Sequence, residues 1–157
     1  MDTDSRALAP AVGVVVLVGV TVLLAATVGS FALAASPTPS TATPVALSMT
    51  VTGDGTVVLE HGPGPPLDVR DLRIRVRVDG EALRHQPPVP FFAARGFVSG
   101  PTGPFNVAAD STWAVGERAT FRIAGSNRPS VAVGDRVVVH VVERTGRTYV
   151  LEAVVEQ

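Results

Sequence analysis

An N-terminal transmembrane or filament α-helix followed by an all-β outer domain, an antiparallel sandwich or small barrel, is the fold class this sequence predicts. Three observations predict it. Residues 8–35, LAPAVGVVVLVGVTVLLAATVGSFALAA, carry no charged side chain. Residues 36–44, SPTPSTATP, consist of Ser, Thr, Ala and Pro alone. From Val45 onward, apolar and polar residues alternate in short runs broken by Gly, Pro and Asp, the period-two pattern of half-buried strands. The expected organisation is a leader over 1–7, the helix over 8–35, a linker over 36–44 and the outer domain over 45–157.

As a helix rising about 1.5 Å per residue, 8–35 would be about 40 Å long, more than the roughly 30 Å hydrocarbon core of a bilayer. It is apolar on every side, which excludes a soluble amphipathic helix. Thr21, Ala25 and Gly29 recur at a spacing of four, with Ala26 and Ser30 beside them. One side of the helix is therefore lined with small residues that let a neighbouring helix approach closely. Gly, Ala and Thr are also frequent in membrane helices generally, so the stripe is compatible with a solitary anchor.

Met1 to Ala7, MDTDSRA, sets Asp2 and Asp4 against a single Arg6. A secretory signal peptide has a basic start, a short apolar core and an A-x-A cleavage site. Ala32-Leu33-Ala34 supplies the A-x-A, but the apolar run is too long and the start is acidic. Ser5-Arg6-Ala7-Leu8-Ala9-Pro10, followed by Ala11-Val12-Gly13-Val14-Val15, resembles the processing site of archaeal type IV pilins. The resemblance implies that Arg6 and Ala7 close the leader and that a prepilin-type membrane peptidase cuts before Leu8. Pro10 then takes the family's proline near the helix start, and Gly13, Thr21, Val22, Ala25, Ala26, Gly29 and Phe31 are similar to that family's helix. Val12 stands where bacterial pilins carry Glu.

Three functions follow from these readings. The first is a pilin-like subunit held in the cell membrane before assembly, which then joins other pilin subunits through the assembly machinery into a surface filament that serves adhesion. The second is a single-pass anchored β-domain that binds a ligand or envelope polymer without polymerising. The third is a β-domain secreted after cleavage at Ala34. The short leader is room for a cytoplasmic stub only, so the outer domain is expected outside the cell.

The linker's prolines remove backbone donors and its small side chains have nothing to bury, so it reads as an extended spacer; such Ser/Thr/Pro tracts can also carry O-linked sugar. In the outer domain, Val45–Thr52 and Thr56–Glu60 flank Gly53-Asp54-Gly55 as a hairpin. Leu72, Ile74, Val76 and Val78 alternate with Arg73, Arg75, Arg77 and Asp79, giving one buried and one wet face, and Asp79-Gly80 turns the chain. Further strands are read over 118–124, with Ala119, Phe121 and Ile123 inward, over 136–143 and over 148–155, the last two joined by Arg144-Thr145-Gly146-Arg147. His85–Asp110 holds too many prolines and glycines for a long element and reads as a loop, tucked onto the sheets by Phe91, Phe92, Phe97 and Phe105. His61-Gly62-Pro63-Gly64-Pro65-Pro66-Leu67-Asp68-Val69, Trp113-Ala114-Val115-Gly116-Glu117 and Gly134-Asp135-Arg136-Val137 resemble turn-to-strand motifs of archaeal pilin ectodomains, with prolines 63, 65 and 66 departing from the usual turn.

Composition narrows the chemistry. The chain has no Cys, which removes disulfides, thiolate metal sites, Cys nucleophiles and a lipoprotein anchor. Thirteen basic residues, all Arg, are balanced by 14 acids, so no basic surplus attracts nucleic acid. His61, His85 and His140 lack metal-ligand spacing. No phosphate loop, nucleophile elbow or close carboxylate pair stands out. An enzyme, a cofactor and a metal are accordingly not expected. The Arg73, Arg75 and Arg77 ladder is read as a solvated face paired with neighbouring acids, with binding of acidic glycan or envelope polymer as the alternative. If the Arg6-Ala7-Leu8 junction is cut as the resemblance implies, Edman sequencing or intact mass of the membrane-extracted protein finds Leu8 at the N-terminus. A start at Ala35 or Ser36 would instead identify the secreted form, and Met1 a plain anchor.

Overall fold

A computed structural model describes residues 5–34 and 44–157. Leader residues 1–4, Ala35 and linker residues 36–43 lie outside the described residues. The chain divides into two compact units, one within Met1–Thr41 and one within Ala42–Gln157.

The first unit is helix α1, Ser5–Ala34. Its Val12–Ser30 stretch is long and apolar enough to cross a membrane, and none of it is buried within the protein.

The second unit is all-β, with every ladder between its strands antiparallel. β1 (Leu47–Val51) and β2 (Thr56–His61) form the expected hairpin, and β7 (Arg118–Arg122) lies on the far side of β2 to complete a three-stranded sheet β1-β2-β7. β3 (Leu67–Asp68) pairs with β6 (Thr112–Trp113). β4 (Leu72–Val78), β5 (Glu81–Ala82), β8 (Arg136–Glu143) and β9 (Thr148–Val154) make a four-stranded sheet in the order β5-β4-β8-β9. The alternation on β4 is complete: Leu72, Ile74, Val76 and Val78 are buried, and Arg73, Arg75 and Arg77 are exposed.

One core joins the inner faces of the two larger sheets: Val51, Val57, Leu59, Ala119 and Phe121 from one, Ile74, Val76, Val137, Val139, Val141 and Leu151 from the other. These faces cover each other as in a sandwich. Aromatic rings thread the core, edge to face from His61 to Trp113 at 5.5 Å and Trp113 to Phe105 at 5.4 Å, tilted from Phe105 to Phe121 at 6.2 Å, then edge to face again to Phe97 at 5.8 Å and on to Phe91 at 5.8 Å. Three of the four loop phenylalanines are thus buried, whereas Phe92 stays 60% exposed. Trp113, fully buried, donates from its indole N–H to the Glu117 carbonyl at 3.0 Å.

A sandwich leaves strand edges whose N–H and C=O groups need partners. On one side β1 and β9 adjoin, and the Glu156 N–H donates to the Val51 carbonyl at 2.9 Å. On the other side the segment expected to be a loop covers both edges. Val98 N–H donates to the Arg122 carbonyl at 2.9 Å, and Thr102 and Thr120 exchange bonds of 2.9 and 3.1 Å, so 98–102 acts as a substitute strand beside β7. Gly103 follows at φ +63°, and a Cβ there would collide with the Arg118 carbonyl oxygen. Only glycine allows so close an approach. Beside β4, Leu83 N–H donates to the Val76 carbonyl at 3.0 Å. The Gln86 side chain accepts from the Val76 N–H at 2.7 Å and donates to the Val76 and Leu83 carbonyls at 3.0 and 2.9 Å. A side-chain amide here takes the place of a backbone peptide.

Asn127 fixes this loop. Fully buried, its amide nitrogen donates to the His85 and Gly96 carbonyls at 2.9 and 3.2 Å, and its oxygen accepts from the His85 and Arg128 N–H groups at 3.1 and 3.0 Å. Asn127→Asp is nearly isosteric but turns a carboxyl oxygen toward two carbonyls. It is expected to lower stability by at least about 2 kcal/mol, read as an earlier urea midpoint of Trp113 fluorescence; an unchanged midpoint would show that the amide does not hold the loop.

Candidate functional site

Two surfaces carry the residues singled out in the sequence. On α1, Arg6, Ala7 and Leu8 fall in the first helical turn. Thr21, Ala25 and Gly29 are all exposed on the described helix. The Thr21 hydroxyl donates back to the Leu17 carbonyl at 2.7 Å, Thr27 to Leu24 at 2.8 Å and Ser30 to Ala26 at 2.8 Å. These hydroxyls are therefore satisfied within the helix and can enter an apolar medium without a further partner. A Cβ added at Gly13, Gly19 or Gly29 would meet nothing within 4 Å. Glycine inside a helix is less favourable than alanine by about 1 kcal/mol, and nothing within the described residues calls for it at these positions.

On the outer domain, the exposed face of the four-stranded sheet sets the arginine ladder against β8. Arg73 stands opposite Val142, Arg75 opposite His140 and Arg77 opposite Val138. On β9 the rows continue with Thr148, Val150 and Glu152. The expected acidic neighbours are absent from β8, because its outward positions are Val138, His140 and Val142. Arg77 bonds its guanidinium to the Gly80 carbonyl, from Nε at 2.9 Å. Arg73 and Arg75 form no ion pair among the described residues, while Arg70, Arg118, Arg122, Arg136 and Arg144 each face Asp68, Glu60, Asp54, Glu152 and Asp71 respectively. Those exposed pairs contribute little individually. Arg73 and Arg75, like Arg84 and Arg95, are left without an ion pair among the described residues.

The histidines are dispersed. His61, fully buried, sets Nδ1 2.7 Å from the Gly62 carbonyl oxygen and Nε2 3.1 Å from that of Pro65, beside the Trp113 ring. Its main chain exchanges bonds with the turn after β6: His61 N–H to the Glu117 carbonyl at 3.0 Å and Gly116 N–H to the His61 carbonyl at 2.7 Å. The His61 and Trp113 motifs thus meet as one structural joint. His140 lies on the outer sheet face, and the His85 main chain is held by Asn127. Gln86 and Asn127 escaped the sequence reading, since their work is done by amide groups that leave no periodic trace; Gln86 before Pro87-Pro88, and Asn127 before Arg128-Pro129, are the local signals available.

Two turn carboxylates are strongly acidic. Asp54 is lowered to about 2 by hydrogen bonds from the Thr52 hydroxyl and from the Thr56 hydroxyl and N–H, with Arg122 alongside. Asp68 is lowered to about 2 chiefly by the Arg70 guanidinium, which grips it at 2.6 and 3.0 Å while the Arg70 N–H donates to it at 3.0 Å. Both act locally, Asp54 closing the β1–β2 turn and Asp68 capping the short 3₁₀ turn Val69–Asp71.

No protein-family model matches the chain. An uncharacterised protein of Archaeoglobus fulgidus is 33% identical over 75 residues, 46% of this chain, and the chain spans 53% of that relative's length. Among solved structures, the archaellum periplasmic stator protein FlaG from Sulfolobus acidocaldarius is similar with a TM-score of 0.43 and 13% identity, over 70% of this chain and 98% of that one.

Because the folded value of Asp54 lies below its ordinary 3.8, its stabilisation is fully present above the unfolded value and is lost as pH falls through 4 toward 2. Asp54→Asn is expected to melt earlier than the parent at pH 7, with the difference closing by about pH 2. A gap independent of pH over this range would separate the carboxylate from the turn's stability.

Proposed function

We propose that this protein is a non-enzymatic, pilin-like structural subunit whose α1 is held in the membrane and then packs with the helices of other subunits in a surface filament that serves adhesion, the β-domain being displayed outside the cell. The observation that carries this reading is the helix itself: exposed along Val12–Ser30, polar hydroxyls turned back on their own backbone, and glycines that its own fold does not use. Between apolar helices in an apolar medium the hydrophobic effect supplies little attraction, so close packing over small residues must supply it. The Arg6-Ala7-Leu8 junction, with its resemblance to archaeal pilin processing sites, supports the same reading and makes a prepilin-type peptidase and the pilus assembly machinery the partners. A cut there requires the first turn of α1 to open, which is inexpensive at an end whose first N–H groups lack intrahelical partners.

The reading of an anchored domain that binds without polymerising is favoured by one observation, Arg73 and Arg75 on the outer sheet face, without an ion pair among the described residues. Gly29→Leu separates the two. The variant helix remains apolar enough for the membrane, but its added side chain holds neighbours apart. The expected outcome is normal processing and membrane retention with loss of the protein from sheared surface filaments. Undiminished filaments, or no sheared filaments from the parent, would favour the anchored binding domain.

A further inference from the structure

Acids and arginines balance over the chain, 14 against 13, but they are unevenly placed. Residues 72–109 hold Arg73, Arg75, Arg77, Arg84 and Arg95 against Asp79 and Glu81 alone, and none of these five arginines forms an ion pair among the described residues. Glu81 pairs opposite the buried Val78, on the other face of the sheet from the ladder. Asp79 turns a carboxylate oxygen to the Arg136 N–H at 2.9 Å. The loop arginines are gathered by one buried side chain. The Asn127 amide bonds the main chains of His85, Gly96 and Arg128, so it draws Arg84, Arg95 and Arg128 to a single junction. The Arg84 N–H closes that junction on the Arg128 carbonyl at 2.7 Å. All three arginines are exposed, and the Arg128 guanidinium bonds the Gly125 and Asn127 carbonyls, both at 2.7 Å, which leave its charge unneutralised. Leu83, just before Arg84, is buried and donates its N–H to the Val76 carbonyl. The junction therefore lies beside the edge of β4, whose outer face carries Arg73, Arg75 and Arg77 about 7 Å apart. Positive charge runs from the sheet face, round its edge and onto the loop.

We propose that this track binds an acidic polysaccharide, a chain of sugars bearing carboxylate or sulfate groups at regular intervals. The proposal rests on the reading of the outer domain as a binding domain and names its ligand class; it does not depend on polymerisation. Each planar guanidinium grips one carboxylate or sulfate through paired N–H donors, and several weak grips on one polymer add up to useful avidity. The fit is to charge alone. The edge of β4 is already covered by 83–89, so a peptide would gain no backbone pairing there and would offer only its carboxylates. A stiff sugar chain loses less conformational freedom on binding than a flexible polypeptide of equal charge. A planar lipid surface meets the ladder or the loop junction but not both, because the track turns a corner that a polymer can follow.

The test uses the full chain in micelles of an uncharged detergent and four immobilised probes: polygalacturonate, dextran sulfate, neutral dextran and poly-L-glutamate. Saturable binding to polygalacturonate, to dextran sulfate or to both is expected, the two telling carboxylate from sulfate, with none to dextran and at least threefold weaker binding to poly-L-glutamate. Screening should weaken it at least tenfold between 0.15 and 0.5 M NaCl. Arg73→Gln/Arg75→Gln and Arg84→Gln/Arg95→Gln are each expected to cost at least threefold, and the two together at least tenfold. Arg118→Gln/Arg144→Gln removes the same charge elsewhere and should cost less than twofold. A footprint on the unaltered protein needs no variant to fold: bound polymer should shield Arg73, Arg75, Arg84 and Arg95 from phenylglyoxal, read by mass spectrometry, and leave Arg118 and Arg144 as reactive as before. Absence of saturable binding to both acidic polysaccharides, equal losses in the Arg118/Arg144 control, or shielding that omits either half of the track overturns the proposal. Tighter binding of poly-L-glutamate also overturns it and assigns the track to an acidic protein. Binding to neutral dextran that all the variants keep strikes the acidic ligand while leaving the binding domain itself standing.

Discussion

Backbone hydrogen bonding at the open edges of the sandwich is the constraint on which the rest of the outer domain depends. Two sheets can bury their inner faces against each other with little specification beyond alternating apolar residues, but a strand edge must find partners or stay wet. Here the partners come from the irregular stretch between β5 and β6. Val98 and Thr102 complete β7, Leu83 and Gln86 complete the upper part of β4, and Phe91, Phe97 and Phe105 anchor the stretch by reaching into the core. The loop is therefore part of the sheet architecture, and Asn127 decides where it lies by bonding to both His85 and Gly96.

This division explains what the sequence made legible. Strands β1, β2, β4, β7, β8 and β9 could be read because a half-buried strand writes its two faces into alternate residues, as Leu72 to Val78 do without exception. The two-residue strands β3, β5 and β6 are too short to carry a period; β3 and β6 touch the stretches that resemble turn-to-strand motifs, and β5 left no trace. The long loop was recognised as irregular from its prolines and glycines, but its role was not, because Gln86 and Asn127 act through side-chain amides whose partners are distant in sequence. Gly103 is the same case: its need for a positive φ and for contact with the Arg118 carbonyl arises from a strand fifteen residues later. The acids expected beside the arginine ladder were a guess about the neighbouring strand, and pairing with β8 set Val138, His140 and Val142 there instead.

For the helix, legibility ran the other way. Its existence, length and apolarity follow from composition alone, and the small-residue side from spacing. What the structure adds is that Thr21, Thr27 and Ser30 consume their hydroxyl hydrogens on their own carbonyls, which leaves no hydroxyl donor along Val12–Ser30 to direct an interhelical contact. If α1 packs with another helix as proposed, specificity must come from shape, which is set by where Ala25 and Gly29 permit approach.

The two units consequently depend on their surroundings in opposite ways. The β-domain has its own core and an internally bonded loop, so its fold needs no companion. The helix buries none of its apolar stretch within the protein, so it cannot rest in water at all and must be covered by lipid or by other helices. A protein built this way can exchange one cover for the other, lipid for neighbouring helices, without refolding its outer domain. That is the physical requirement for a subunit that is stored in a membrane and assembled out of it.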